Sequence, residues 1–350
     1  MLALYRKYRP KRFEDVLGQE SIIRIIRNAA KTDRLSHAYL FYGARGSGKT
    51  TTARLIAKIA NCQKRLTDAD FKKLGEPCNA CHACIEIDSG NAMDIIEIDA
   101  ASTRGIDDIR SLKEGALLSP SSYAYKVFII DEVHMLSKDA FNALLKTLEE
   151  PPSHVFFILA TTESHKVPET IISRCQRFDF KRVDTKSIVA RLGYIAQHEK
   201  IEAELDALEL IARNVDGGLR DAIGLMEQIT FDGKLTYEAV KKGLGIAGHK
   251  AAEQLFEQIL AHDVKKALAT VSDIHYDGYD ISQFTKDFLE YLREKMLDAV
   301  KNNDNELLAR IIVMIDKFQG AYEAGRTAII PQLPLEIAVV EVGSQKLAVS

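Results

Sequence analysis

Eight consecutive residues, Gly43-Ala44-Arg45-Gly46-Ser47-Gly48-Lys49-Thr50, constrain this chain more than any other stretch. Their spacing is that of a phosphate loop. Glycines admit backbone turns closed to other residues, so successive N–H groups can converge on phosphate oxygens. A helix starting near Lys49 adds its positive N-terminal dipole. An apolar run, Tyr39–Tyr42, precedes the motif, and a helical pattern, Thr50–Ala60, follows it. A glycine-rich surface turn needs neither. In such a loop Lys49 reaches the β- and γ-phosphates of ATP, Thr50 ligates Mg²⁺, and Thr51 follows in the first helical turn.

The rest of the N-terminal half supplies the sheet that this motif requires. Short apolar runs recur at Tyr39–Tyr42, Ile95–Ile98, Val127–Ile130 and Val155–Leu159, separated by helical stretches such as Lys138–Glu149. Alternation of this kind predicts an α/β domain with a mostly parallel sheet covered by helices. The helix over 138–149 shows Phe141, Leu144, Leu145 and Leu148 on one face, with Ser137 as its N-cap and Pro151-Pro152 as its stop. After about Lys181 amphipathic helices dominate. Leu205, Leu208, Ile211 and Ala212 mark one; Leu219, Ile223, Met226 and Ile229 mark another, with Gly217-Gly218 between them. Ile281, Phe284, Phe288, Leu292 and Met296 mark a third beyond a boundary near Gly243–Gly248. The expected organisation is an ATPase core over 1–180, a helical unit over 181–243 and a second helical unit over 244–350.

Val127-Phe128-Ile129-Ile130-Asp131-Glu132 is an apolar strand ending in two carboxylates. That places both acids at the carboxyl edge of the sheet, where ligands bind in such folds. Asp131 suits a Mg²⁺ contact and Glu132 suits polarising the attacking water. Two solvated acids at a strand end are common; it is the phosphate loop upstream that gives this pair its meaning. Thr161-Thr162 ends the next apolar run, and on spacing alone two threonines there read as a turn.

Cys62 is followed by Cys78-x-x-Cys81-x-x-Cys84, and the segment 61–90 is poor in apolar residues. Four thiolates form a closed tetrahedral Zn²⁺ set with no open position for chemistry, and a metal gives such a segment the crosslink that a core cannot. His82 and His37 are alternative ligands. With five cysteines and no apolar segment behind the basic N-terminus, the expected setting is the reducing cytoplasm. No stretch is apolar enough to suggest a membrane span. Forty-seven basic against fifty acidic residues leave a net charge of −3, so contact with nucleic acid has to come from a local patch.

Together these segments resemble the γ/τ ATPase subunits of the bacterial DNA polymerase III clamp loader. The resemblance is carried by Tyr5-Arg6-Lys7-Tyr8-Arg9-Pro10 with Phe13 and Val16-Leu17-Gly18-Gln19-Glu20, by the phosphate loop and the cysteine insertion after its helix, and by Asp131-Glu132-Val133-His134-Met135-Leu136. Phe141–Pro152, Ala160-Thr161-Thr162, Ser173-Arg174-Cys175 and Gly218-Leu219-Arg220-Asp221-Ala222 continue it, so that it covers roughly residues 4–230. It implies an AAA+ fold: a RecA-like parallel sheet with flanking helices, a helical lid, and an all-α collar that joins subunits. ATP then sits between core and lid, with Tyr8, Arg9, Pro10, Val16 and Leu17 on the adenine side. Thr162 takes the role of the sensor on the fourth strand, and Arg220 that of the lid's sensor arginine. Arg174 becomes the finger offered to a neighbouring subunit's ATP. The implied partners are other clamp-loader subunits in a pentameric hetero-oligomer, the sliding clamp, and primed DNA read without sequence specificity. Ser102, Thr103 and Arg104 are the candidate DNA contacts, and Lys146 a candidate link from DNA to Glu132. Members of the τ type continue into segments that bind polymerase and helicase, which become partners where such an extension exists.

Three other readings fit less of the chain. A ring helicase or remodelling ATPase shares the nucleotide motifs but not the cysteine insertion. A non-hydrolysing loader subunit has no use for Lys49, Thr50 and Glu132. A small-molecule kinase leaves the helical C-terminal half and Ser173-Arg174-Cys175 unexplained.

Overall fold

In the computed structural model of the chain, residues 3–102, 112, 114–244, 249–276 and 278–344 are described. Five strands form one parallel sheet: β1 (Ala38–Gly43), β2 (Ile95–Asp99), β3 (Lys126–Asp131), β4 (Val155–Thr161) and β5 (Gln176–Phe180), in the spatial order β2-β3-β4-β1-β5. The register sets Tyr42 beside Thr161, Gly43 beside Phe180 and Asp99 beside Asp131, so the phosphate loop and both acids leave the same edge of the sheet.

β4 is buried along its whole length and reads as an unbroken apolar run, as a central parallel strand must. β5 is different. Only Phe178 and Phe180 are buried, while Gln176, Arg177 and Asp179 face solvent. This edge strand lies outside the four strands that the apolar runs predict, because its charged residues interrupt them.

The pleat sends alternate residues to two cores. Tyr39, Phe41, Val127 and Ile129 pack with Ile22, Ile23 and Ile26 of α1 (Glu20–Lys31) and with Leu55, Ile56 and Ile59 of α2 (Lys49–Asn61). The opposite residues, Leu40, Phe128, Ile130 and Phe157, pack with helices on the other face. Downstream of α3 (His82–Ser89), which belongs to the cysteine segment, α4 (Lys138–Glu149) covers that second face. The Ser137 hydroxyl accepts the Ala140 N–H at 3.2 Å and caps α4 as expected. Burial of Phe141, Leu144 and Leu148 contributes about 1.5–3 kcal/mol each.

Three helices complete this first unit: α5 (Thr185–His198), α6 (Leu205–Asn214) and α7 (Leu219–Ile229). They pack on one another through Ile188, Leu192, Leu208, Ile211, Ile223 and Met226, all buried. The chain divides after Lys234. The second unit is helical: α8 (Tyr237–Gly243), α9 (His249–Leu260), α10 (Val264–Tyr276), α11 (Ile281–Lys301), α12 (Asn305–Gly325) and α13 (Leu333–Ser344). Its own core gathers Leu255, Phe284, Phe288, Leu292, Phe318 and Val339. No helix among the described residues is long and apolar enough to cross a membrane.

Candidate nucleotide site and cysteine module

The phosphate loop turns between β1 and α2 through two glycines in the left-handed region. Gly48, at φ +100°, is the residue before the helix, and Gly46, at φ +76°, lies against the turn before α7. A Cβ on Gly46 would stand 3.0 Å from Gly218 Cα, so a side chain here would strain the left-handed backbone and press on the turn before α7. Lys49 is 6% exposed. Its ammonium donates to the Gly43 and Ala44 carbonyls at 2.8 and 2.9 Å. Burial lowers its pKa, against the opposing charges of Glu132 and Asp131.

Thr50 and the acids of β3 form the next layer. The Thr50 hydroxyl donates to Asp131 Oδ2 at 2.7 Å. Glu132 adopts a left-handed backbone, φ +47°, a costly conformation for a side-chain-bearing residue that tends to mark functional turns. Its Oε2 accepts the Thr162 N–H at 3.3 Å and the Thr162 hydroxyl at 3.0 Å. Thr162 is therefore in direct contact with Glu132, which spacing alone did not indicate. Lys146 stands exposed on α4, and the groups found on Glu132 are Thr162 and His134 rather than Lys146.

These residues open on a cavity of about 590 Å³. Tyr8, Arg9, Pro10, Val16 and Leu17 line it from the N-terminal segment, residues 45–51 from the loop and α2, Asp131 and Glu132 from β3, and Arg220 from α7. Gly43 and Ala44 take part through the carbonyls that hold Lys49. Tyr5, Glu97, Leu219 and Ile223 also line the cavity, and the sequence reading had not selected them. The Arg220 guanidinium lies 4.6 Å from the centre of the Tyr5 ring. Arg54 and Glu97 pair at 2.5 Å, and burial, followed by the charge of Arg54, lowers the pKa of Arg9 beside them.

The lid grips the N-terminal segment from several sides. Arg191 donates to the Tyr8 carbonyl at 2.7 Å, Glu227 accepts the Leu4 N–H at 3.1 Å, and Tyr8 donates its hydroxyl to Glu199. Burial, with that carboxylate beside it, pushes the Tyr8 phenol up to about 12. Gln19, 2% exposed, bonds both backbone groups of Lys181 and also donates to the Ser47 carbonyl at 3.3 Å. It ties the phosphate loop to the segment that leads into the lid.

Arg174 is not among the cavity residues. It pairs with Glu149 at 2.5 Å and donates to the Thr170 carbonyl at 2.7 Å on an exposed part of the first unit. Of the candidate DNA contacts, Ser102 is exposed, its hydroxyl bonded to the Asp99 carbonyl at 2.9 Å. Thr103 and Arg104 lie outside the described residues.

The four cysteine sulfurs lie within 4.8 Å of one another. Tetrahedral thiolates around zinc, with bonds of ~2.3 Å, stand ~3.8 Å apart; Cys78 and Cys84 are 3.9 Å apart. Backbone N–H groups of Ala80 and Cys81 point at the Cys78 sulfur, and that of Cys78 points at Cys62. This donor set fits a metal ion. Contact with Cys84 draws the Cys62 thiol down to about 5, and the same contact pushes Cys84 upward. The module is fastened to the core by Lys58, fully buried on α2, which pairs with Asp88 of α3 at 2.8 Å. Glu76 fastens it to the N-terminal segment by accepting the Phe13 N–H at 2.8 Å.

A parallel sheet in this strand order, a phosphate loop after β1, paired acids after β3 and a helical lid lining the same cavity define the AAA+ class of P-loop proteins. Family models match in sequence order: "DNA polymerase III, delta subunit" over residues 18–184, "DNA polymerase III clamp loader subunit, ATPase lid domain" over 187–233, and "DNA polymerase III subunits gamma and tau domain III" over 235–312. The chain belongs to the gamma and tau subunit family of DNA polymerase III.

DNA polymerase III subunit gamma of Buchnera aphidicola subsp. Baizongia pistaciae is 36% identical over 96% of this chain and 92% of its own length. The tau subunit of Bacillus subtilis is 45% identical over 97% of this chain, which spans 63% of that protein. The tau subunit of Escherichia coli is 43% identical over 79% of this chain, and 42% of its own length is covered. Among solved structures, the Thermotoga maritima RuvB Holliday junction branch migration motor aligns with a TM-score of 0.48 at 20% identity, over 75% of this chain and 85% of that one.

Proposed function

We propose that this chain is the ATP-hydrolysing motor subunit of a bacterial replicative clamp loader, acting in the cytoplasm, whose nucleotide cycle opens a sliding clamp and loads it onto primed DNA. The observation that carries this reading is the convergence of Lys49, the bonded pair Thr50–Asp131, and Glu132 on one cavity walled by core and lid. Lys49 and the loop amides hold the phosphates. Thr50 and Asp131 hold Mg²⁺, which when bound supplies positive charge to the phosphate oxygens. Glu132 orients and polarises the attacking water, and Thr162 keeps its carboxylate in place. Arg220 follows charge on the phosphates from the lid side.

Arg174, turned away from its own cavity, serves as a finger for the ATP of a neighbouring subunit in a pentameric hetero-oligomer. A finger of this kind is worth ~10³–10⁵ in rate, so hydrolysis reports assembly. Ser102, Thr103 and Arg104 contact the backbone of primed DNA, and the cysteine module holds structural Zn²⁺. We assign residues 1–180 to the ATPase core, 181–234 to the lid and the helices after it to the collar; the chain divides after Lys234, so α8 (Tyr237–Gly243) goes with the collar rather than with the lid that the sequence extended to 243, and the lid family model spans 187–233. Where a τ-type extension exists, polymerase and helicase join the partners.

Steady-state ATP hydrolysis in the reconstituted loader, with and without clamp and primed DNA, tests this reading. Arg174→Ala is expected to bind ATP normally and to lose most of the stimulated turnover. Wild-type turnover indifferent to clamp and DNA would instead assign the chain to another AAA+ machine.

A further inference from the structure

His134 is a buried imidazole wedged between two carboxylates, with its side chain 6% exposed. Nδ1 lies 2.9 Å from the Thr161 hydroxyl and 3.4 Å from Glu132 Oε2; Nε2 lies 3.3 Å from Glu163 Oε1. Glu163 is itself held, by Lys166 at 2.8 Å and His165 at 3.6 Å, and its backbone N–H donates to the Thr161 hydroxyl at 3.0 Å. The left-handed turn at Glu132 folds Val133–Met135 into a short helical turn that carries His134 back over β4. With Nε2 on a carboxylate the ring is fixed in direction: its Nδ1 edge meets the Thr161 hydroxyl at 2.9 Å and packs 3.4 Å from the Oε2 atom that Thr162 contacts from the other side, and a ring carrying both protons can donate to both carboxylates. Glu132 is thus bracketed by Thr162 and His134.

We infer that His134 is a second positioning residue for Glu132, which together with Thr162 sets the direction in which its carboxylate points into the cavity. The inference rests on Glu132 acting on the attacking water, as proposed above. Position matters here because a misplacement of about 1 Å in a catalytic group can cost ~10²-fold in rate. Glu163 anchors the far side of the ring and has no direct part.

Substitution separates the two ring nitrogens. Asn places a polar atom where Nδ1 stands and nothing at Nε2; Gln reaches the Nε2 position and leaves Nδ1 vacant. Stimulated hydrolysis and ATP affinity are measured in the reconstituted loader for His134→Ala, His134→Asn and His134→Gln, with Glu132→Gln as reference. His134→Ala and His134→Gln are expected to lower kcat by ~10–100-fold with ATP affinity unchanged, whereas His134→Asn retains most of the wild-type kcat. If Glu132→Gln abolishes turnover while the His134 variants all match wild type, or if His134→Asn falls with His134→Ala, or if affinity falls in step with kcat, this inference is wrong and the function stands. If Glu132→Gln hydrolyses ATP as well as wild type, the assignment of Glu132 fails and this inference fails with it.

Discussion

Thr50 shows how much of the nucleotide site hangs on one hydroxyl. Its Oγ1 donates to Asp131 at 2.7 Å and is also the oxygen that the proposed Mg²⁺ would take. Thr50→Val keeps the branched shape at the first turn of α2 and removes only that oxygen. A hydrogen bond to a charged group is worth about 1.5–3 kcal/mol, so affinity for Mg²⁺–ATP should fall ~10–100-fold. Affinity measured with the metal chelated should barely move. Equal losses under both conditions would mean that the substitution disturbs the loop itself and not the metal position. Lys49 and Thr50 were legible because a phosphate loop is local, its roles following from spacing along the chain, and Asp131 because it ends an apolar strand downstream of that loop. His134, Gln19 and Tyr5 carry no such pattern. Each has its place only through tertiary neighbours, Glu163 for His134, Lys181 for Gln19 and Arg220 for Tyr5, and a sequence does not print those.

At the scale of elements, burial decided much of what could be read. Tyr39–Phe41, Val127–Ile130 and Val155–Leu159 are buried on both faces and announce themselves as apolar runs. β2, at one edge of the sheet and only half-buried, still reads as a run because Ile95, Ile96 and Ile98 are interrupted by Glu97 alone, whereas β5, at the other edge, mixes Arg177 and Asp179 into its five residues. The cysteine segment is the opposite case, legible from four residues although it has almost no core. Ala83, Cys84 and Ile87 are buried, but Leu66, Leu74 and Ile85 are each about half exposed, at 50%, 52% and 55%. So little apolar burial leaves residues 62–89 short of a core of their own, and on the proposed reading a structural metal makes up the difference. Purified protein should therefore contain zinc, and a strong chelator should release it and open this segment to protease while ATP binding persists. Cys84→Ser should reproduce the effect. Protein that lacks zinc and yet resists protease over this segment would remove the metal from the account.

At the scale of the molecule, the buried clusters among the described residues fall on separate sides of Lys234. The buried clusters of the first unit end before it, and that of the second begins at Ala252 and runs to Val342. Residues 1–234 are well above the size at which a chain can bury enough surface to fold alone. The described residues that line the nucleotide cavity all belong to the first unit. It does expose apolar side chains on and just before α13: Ile329 fully, and Ile330, Leu333, Ile337 and Val340 by 42–50%. A surface of that kind suits contact with other chains, the collar role proposed for it. The two properties separate in one experiment. Residues 1–234 made alone should fold, bind ATP with the affinity of the whole chain, and show no clamp- or DNA-stimulated turnover when mixed with the other subunits, because the finger role proposed for Arg174 requires a neighbour held in place. Stimulated turnover at the full rate from that fragment would show that assembly does not need the second unit. Failure of the fragment to bind ATP would show that the nucleotide site depends on residues after 234.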